Sequence, residues 1–167
     1  LYLESFIDKK YCLSIMESLD SLEKDKSSPY TDGLVNDCAD TYFDPDIPHI
    51  KDVQERIFVD GLKEYSDKVR AFNWSYYNTK SFHCSEMILR RYNEHSGFEY
   101  HHDDIIGEIF PHWFLRRQNI LTCNFYFSDA KDYDGGDLVF TCTDKTYHPS
   151  MGDIIIFPSN WMFYHQV

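Results

Sequence analysis

The densest cluster of side chains able to bind an ion is Tyr100-His101-His102-Asp103-Asp104. On an extended segment, residues two apart project to the same side, so a His and an Asp at that spacing can reach one ion. A third ligand has to come from elsewhere in the chain. Two imidazoles and one carboxylate on one face of an octahedron leave three positions open, an arrangement that suits iron(II) binding further reactants. An HxD pair by itself says little, because short His/Asp clusters are commonly solvated surface. The letters are also doubled: His101 with Asp103 and His102 with Asp104 both satisfy the spacing.

Such a pair needs rigid strands around it. From about residue 74 short β-rich runs are expected at Glu86–Tyr92, Ile120–Phe127, Asp137–Cys142 and Asp153–Phe157, with Gly135-Gly136 and Gly152 at turns. Alternation across the second run is informative. Leu121, Cys123, Phe125 and Phe127 form an apolar face, while Ile120, Thr122, Asn124 and Tyr126 form a face carrying hydroxyls and an amide, suited to line a polar site. Upstream, Asp8 is placed as an N-cap for a helix whose face holds Cys12, Ile15, Met16, Leu19 and Leu22. Phe58, Leu62, Tyr65, Val69 and Phe72 mark a second helix. Residues 27–49, with Pro29, Gly33, Pro45 and Pro48, read as a long loop. The expected fold is mainly β with N-terminal helices, α+β, with helices packed on one sheet of a sandwich or barrel. One domain is expected over 1–167, with helical support in 1–73 and a β core in 74–167.

Composition bounds the function. The 167 residues suffice for a core without disulfide or zinc support. A formal charge of −12 repels phosphate backbones and anionic lipid, so nucleic acid and membranes are poor partners, while a basic peptide would be attracted. Cys12, Cys38, Cys84, Cys123 and Cys142 are odd in number and lack CxxC spacing, which fits reduced thiols in a cytoplasmic protein. No signal peptide or apolar run of membrane-spanning length is visible. Because the chain opens on Leu1, the natural N-terminus is expected upstream of it. His49, His83, His95, His112 and His148 are expected at the surface, and Trp74, Tyr76, Tyr77, Trp113 and Trp161 in core or rim packing.

The order of motifs is more specific than any one of them. It runs Tyr92, His101/Asp103, Thr122 and Tyr126, Gly135-Gly136-Asp137-Leu138, Gly152-Asp153 to Phe157-Pro158-Ser159, and His165-Gln166-Val167. This order resembles the prolyl 4-hydroxylase-like branch of the 2-oxoglutarate/Fe(II)-dependent dioxygenases, over roughly residues 86–167. The resemblance implies a double-stranded β-helix, or jelly roll, with iron held by His101, Asp103 and His165. The spacing from Tyr92 then favours His101 over His102, which with Asp104 would face away. It also implies that Tyr92 and Tyr126 hydrogen-bond 2-oxoglutarate or the ligand shell, that Thr122 and Leu138 line the cosubstrate pocket, and that Val167 forms its wall.

The implied chemistry is hydroxylation of an unactivated C–H bond, most of all in a prolyl residue of a peptide or protein. 2-Oxoglutarate and O2 are consumed, succinate and CO2 released, and ascorbate is a further small-molecule partner. A small-molecule substrate, a catalytically silent jelly-roll binding module and a cupin-like metal enzyme are the alternatives. Two departures stand out. The basic residue that the family places about nine positions after the distal His would fall beyond Val167, with Arg90 as a conceivable substitute. Phe127-Ser128 replaces the usual Leu-Asn. Residues 27–49 and 104–118 are expected to wall the substrate entrance, the latter with Trp113, Phe114 and Arg116-Arg117.

Overall fold

A computed structural model of the chain describes residues 1–19, 39–43, 46–69, 84, 87–92, 94, 96–103 and 119–167. The expected loop 104–118, residues 27–38, Leu22, Phe72, Asp104 and the aromatic run at 74–77 lie outside them.

The first helix, α1 (Lys9–Leu19), starts where Asp8 turns its carboxylate onto the Lys10 amide at 3.0 Å. Cys12, Ile15 and Leu19 fall on its buried face. The second helical stretch is longer than its expected stripe. It comprises α2 (Ile50–Arg56), a π-helical turn over Ile57–Gly61 and α3 (Leu62–Lys68), and it buries Ile50, Val53 and Ile57 as well as Leu62 and Tyr65. The π turn inserts one residue into the register, so the apolar face before it is out of phase with the 58–69 stripe.

Among the described residues, three sheets accompany these helices. The central one has the order β1 (Tyr2–Leu3), β7 (Ile154–Pro158), β4 (Leu121–Phe125), all antiparallel. The second has the order β6 (Thr146–Tyr147), β5 (Leu138–Phe140), β8 (His165–Gln166). The third pairs β2 (Ala39–Phe43) with β3 (Ile88–Tyr92). The β2 strand corrects the expectation of an unbroken loop over 27–49. Its pairing partner is far away in sequence, and the prolines and aspartates beside it dominate any local window. The runs expected at Glu86–Tyr92, Ile120–Phe127, Asp137–Cys142 and Asp153–Phe157 all contain strands, the third trimmed to Leu138–Phe140.

β7 explains the layering. Ile154 and Ile156 join the core under the helices, with Leu121, Cys123, Phe125 and Phe127 of the neighbouring strand packed against it. Ile155 and Phe157 point the other way and meet Leu138 and Phe140 of the second sheet, with Tyr126 and Val167 at the margin. A strand buried on both faces reads as a continuous apolar run, as Ile154-Ile155-Ile156-Phe157 does. The helices, the central sheet and the second sheet therefore form successive layers, and the functional residues lie along the second interface.

The N-terminus is tied onto this arrangement. The buried Asp153 carboxylate accepts from the Tyr2 hydroxyl at 2.5 Å, the Ser5 amide at 2.7 Å and the Ser150 amide at 2.8 Å. Gly152 sits beside it at φ +89°, where a Cβ would stand 2.3 Å from the Ile7 carbonyl oxygen, so the sequence needs glycine there.

His148 is exposed, as expected, but is engaged through both ring nitrogens. Nδ1 lies 2.5 Å from the Asp137 carboxylate and Nε2 3.1 Å from the Ala130 carbonyl oxygen. Two acceptors favour the doubly protonated ring, and the Asp137 hydrogen bond foremost raises its pKa above 6.5. A raised folded-state pKa contributes stability that is fully present below the unfolded value of about 6.5 and is lost as pH rises through the folded one. We therefore expect the His148 ring resonances to titrate with a midpoint above 6.5, and His148→Ala to flatten the decline of stability on the alkaline side of that value. An NMR titration midpoint at or below 6.5 contradicts this.

Candidate metal centre

The site is built where the segment 98–101 lies antiparallel to the end of the chain. Phe98 and Val167 exchange backbone hydrogen bonds at 2.9 and 3.1 Å, and His101 and His165 exchange theirs at 2.9 and 2.8 Å. Three steps along one segment match two along the other, so the 98–101 side carries one extra residue in the manner of a β-bulge, a device that re-aims side chains. Gly97 permits the close approach, because a Cβ there would lie 2.4 Å from the Val167 carbonyl oxygen. On its other edge His165 is paired with Phe140 of β5. His101 and His165 are thus direct cross-strand neighbours, with ring centroids 4.4 Å apart.

Asp103 joins them. Its Oδ1 is 3.4 Å from His101 Nε2 and its Oδ2 is 3.7 Å from His165 Nε2. One ligand atom from each of His101, Asp103 and His165 falls within 4.8 Å of the others. Each imidazole is fixed in one sense: His101 Nδ1 donates to the Glu99 carbonyl at 2.7 Å and His165 Nδ1 to the Phe163 carbonyl at 2.9 Å. With the proton on Nδ1, the bare Nε2 of each ring faces the shared space, which is how backbone carbonyls commonly orient metal-binding histidines. His165 is buried against Phe140 and Phe157, whereas His101 is partly open.

The electrostatics follow from this packing. Burial depresses the His165 pKa, only partly opposed by the Phe163 carbonyl and Asp103. At His101 burial acts in the same direction but is outweighed by Asp103 and the Glu99 carbonyl, so its pKa is raised. Burial would raise that of Asp103, but the neighbouring His101, the hydrogen bond from Thr122 and the nearby His165 hold it below the usual carboxylate value. An ionised carboxylate beside two imidazole lone pairs is the donor set of a divalent ion.

The other anticipated residues divide into groups. Thr122 donates to Asp103 Oδ2 at 2.7 Å, so its proton is directed at the carboxylate. Tyr126, Leu138 and Val167 share the cluster between the two main sheets. The Tyr126 hydroxyl is buried with no well-formed hydrogen bond among the described residues, although the Asn124 side chain lies beside it. Burial pushes its phenol well above the ordinary value of 10, so it remains a proton donor at neutral pH. Tyr92 is on β3, partly exposed and edge-on to Phe98, and near enough to Asp103 for that charge to act on it. Arg90 lays its guanidinium 4.6 Å above the Phe98 ring, whose centroid is 4.9 Å from that of His101. His102 does not join the cluster. It lies beside Tyr164, with ring centroids 6.2 Å apart. Two residues had no role assigned from sequence: Ser159, quoted there only as the end of a motif, whose Oγ is 3.0 Å from Thr122 Oγ1, and Asn119, whose side chain donates to the Asp103 carbonyl at 3.0 Å. Each is a polar residue flanking an apolar strand run, Asn119 before β4 and Ser159 after β7.

Comparison with known proteins agrees with this geometry. Residues 87–167 match the 2OG-Fe(II) oxygenase superfamily. This stretch of the chain is therefore similar to that superfamily. The groups such an oxygenase works with are iron(II), 2-oxoglutarate and O2. A PKHD-type hydroxylase of Acinetobacter baylyi is 30% identical over 79 residues, covering 46% of this chain and 34% of that protein. A PKHD-type hydroxylase of Acinetobacter baumannii is 32% identical over 74 residues, covering 43% and 32%. The matched stretch thus spans about a third of these relatives. The fold is shared more widely: a viral collagen prolyl hydroxylase from Paramecium Bursaria Chlorella virus-1, in its 2OG complex, superposes with a TM-score of 0.67 at 12% identity, over 99% of this chain and 85% of that one. A truncated form of the same protein gives 0.65 at 13% identity, over 99% and 79%.

The residues of this stretch fit the groups that such an oxygenase holds. The two inward-facing Nε2 atoms and the Asp103 carboxylate suit iron(II), and the unsatisfied Tyr126 hydroxyl suits a carboxylate of 2-oxoglutarate.

Proposed function

We propose that this chain is a dioxygenase that hydroxylates an unactivated C–H bond, in a prolyl residue of a peptide or protein, while 2-oxoglutarate is converted to succinate and CO2. The observation that carries this reading is the convergence of His101, Asp103 and His165, each imidazole locked by a backbone carbonyl with Nε2 inward. When bound by those three residues, iron(II) supplies oxygen activation coupled to cosubstrate decarboxylation. The chain's own work is positional. His101 and His165 present neutral nitrogens, and Asp103 compensates part of the metal charge. The Tyr126 hydroxyl donates to the far carboxylate of 2-oxoglutarate, with Leu138 and Val167 as apolar walls that limit water. Tyr92 adds a second phenol at the open side. A cation for that carboxylate belongs to the same proposal, either a basic residue beyond Val167 or Arg90, because a dianion buried unpaired is costly.

The prolyl substrate is supported by the order of motifs and by the shared fold with a collagen prolyl hydroxylase. On this reading residues 1–167 form one domain, and its two facing sheets are the halves of a jelly roll. Ascorbate would serve as reductant. A cytoplasmic setting is part of the proposal; among the described residues no helix is long and apolar enough to cross a membrane. The test is direct. The purified protein with iron(II) should convert 2-oxoglutarate to succinate, and a proline-containing peptide should gain the mass of one oxygen atom. Absence of succinate under any iron loading removes the oxygenase reading, and succinate without peptide oxidation removes the prolyl one.

A further inference from the structure

We propose that Ser159 is a positioning residue of the metal centre, acting through Thr122 to hold Asp103 as a ligand that offers a single oxygen. This rests on reading His101, Asp103 and His165 as a metal centre and is independent of the substrate. The argument is an account of protons. A hydroxyl has one proton to donate. An oxygen of a carboxylate that serves as a metal ligand accepts, so across the 2.7 Å contact Thr122 donates to Asp103 Oδ2. The 3.0 Å contact between Thr122 and Ser159 can then be made only by the Ser159 proton. The order of donation is Ser159 to Thr122 to Asp103 Oδ2.

The location of Ser159 keeps this order intact. Its residue is 1% exposed, so water does not compete for the hydroxyl. Its amide donates to the Ile120 carbonyl at 3.1 Å, continuing the β7–β4 pairing in which Thr122 lies opposite Phe157. Ser159 is two residues beyond Phe157, on the same side of the strand, so the ladder register places it beside Thr122. The Asn119 side chain holds the Asp103 carbonyl at 3.0 Å, so the aspartate is restrained at its backbone as well.

The consequence concerns coordination number. With Oδ2 engaged by Thr122, the carboxylate presents Oδ1, which is 3.4 Å from His101 Nε2. A carboxylate binding through one oxygen occupies one position of an octahedron, so three stay available for reactants. If both oxygens bound, one of those positions would be lost.

The test uses cobalt(II) as the probe, with the full chain and neither 2-oxoglutarate nor substrate. Ser159→Ala should weaken cobalt(II) binding by up to about 10-fold, the lower end of the effect of removing a direct partner of a metal ligand because Ser159 acts one hydrogen bond further out, and should change the visible ligand-field bands. Ser159→Thr, which keeps the hydroxyl, should recover most of the affinity. Thr122→Val should lose affinity as well, and the double variant should bind no more weakly than Thr122→Val alone, because Ser159 acts only through Thr122. Wild-type affinity and spectrum in a folded Ser159→Ala protein overturn the proposal, as do losses that add in full. If Ser159→Ala does not fold, Ser159→Cys takes its place: a weaker donor should give an intermediate loss, and unchanged affinity overturns the proposal equally. A protein that shows this non-additivity but forms no succinate upholds the Ser159 inference and rejects the oxygenase reading.

Discussion

His101→Ala is expected to eliminate succinate formation and to weaken manganese(II) or iron(II) binding by more than the roughly 10–100-fold that loss of an outer-sphere partner costs. His101 is the informative member of the triad. His165 is wedged between Phe140 and Phe157, so its removal also opens a cavity in the inter-sheet core. The His101 side chain is partly open, and its backbone bonds to His165 do not depend on the imidazole. The variant should therefore unfold close to the wild-type denaturant midpoint while failing to bind metal in a titration. His102→Ala is the matched control, since His102 lies beside Tyr164 and outside the cluster. If His102→Ala rather than His101→Ala abolishes metal binding, the register of the ligands is off by one residue.

Tyr126→Phe should move two measurements in opposite directions. In the absence of 2-oxoglutarate, removing a buried hydroxyl without a well-formed partner relieves a penalty of up to about 1–3 kcal/mol, so the variant should be as stable as the parent or more so. With 2-oxoglutarate, the same change removes a hydrogen bond to a charged group, worth about 1.5–3 kcal/mol, or roughly 10–100-fold in apparent affinity. KM for 2-oxoglutarate should rise by that factor while metal affinity is unchanged. Thermal unfolding without cosubstrate and steady-state kinetics with it test the two halves separately. A variant that loses stability and keeps its KM would show that Tyr126 is only a packing residue of the inter-sheet cluster.

The sequence by itself determined much of this protein. Strand alternation at 120–127 separates Leu121, Cys123, Phe125 and Phe127, which meet the helix-side core, from Thr122, which meets Asp103. That separation is local, because side chains alternate along any strand. The run at 153–157 likewise marked a strand, while its burial on both faces came with the fold. The two-residue HxD spacing identified two candidate pairs, and it was the family resemblance, through the distance from Tyr92, that favoured His101 over His102.

What tertiary structure alone decided depends on contacts between distant residues. The β2–β3 ladder joins segments about 50 residues apart, and nothing in the composition around Pro45 announces it. The pairing of His101 with His165 rests on a bulge and on the missing side chain of Gly97, which single-residue propensities do not encode. The direction of the Thr122 proton is the finest such case. Sequence placed a hydroxyl on the polar face and assigned it to the cosubstrate pocket. The fold supplies two neighbours, Asp103 on one side and Ser159 on the other, and with one proton per hydroxyl these neighbours fix the order of donation.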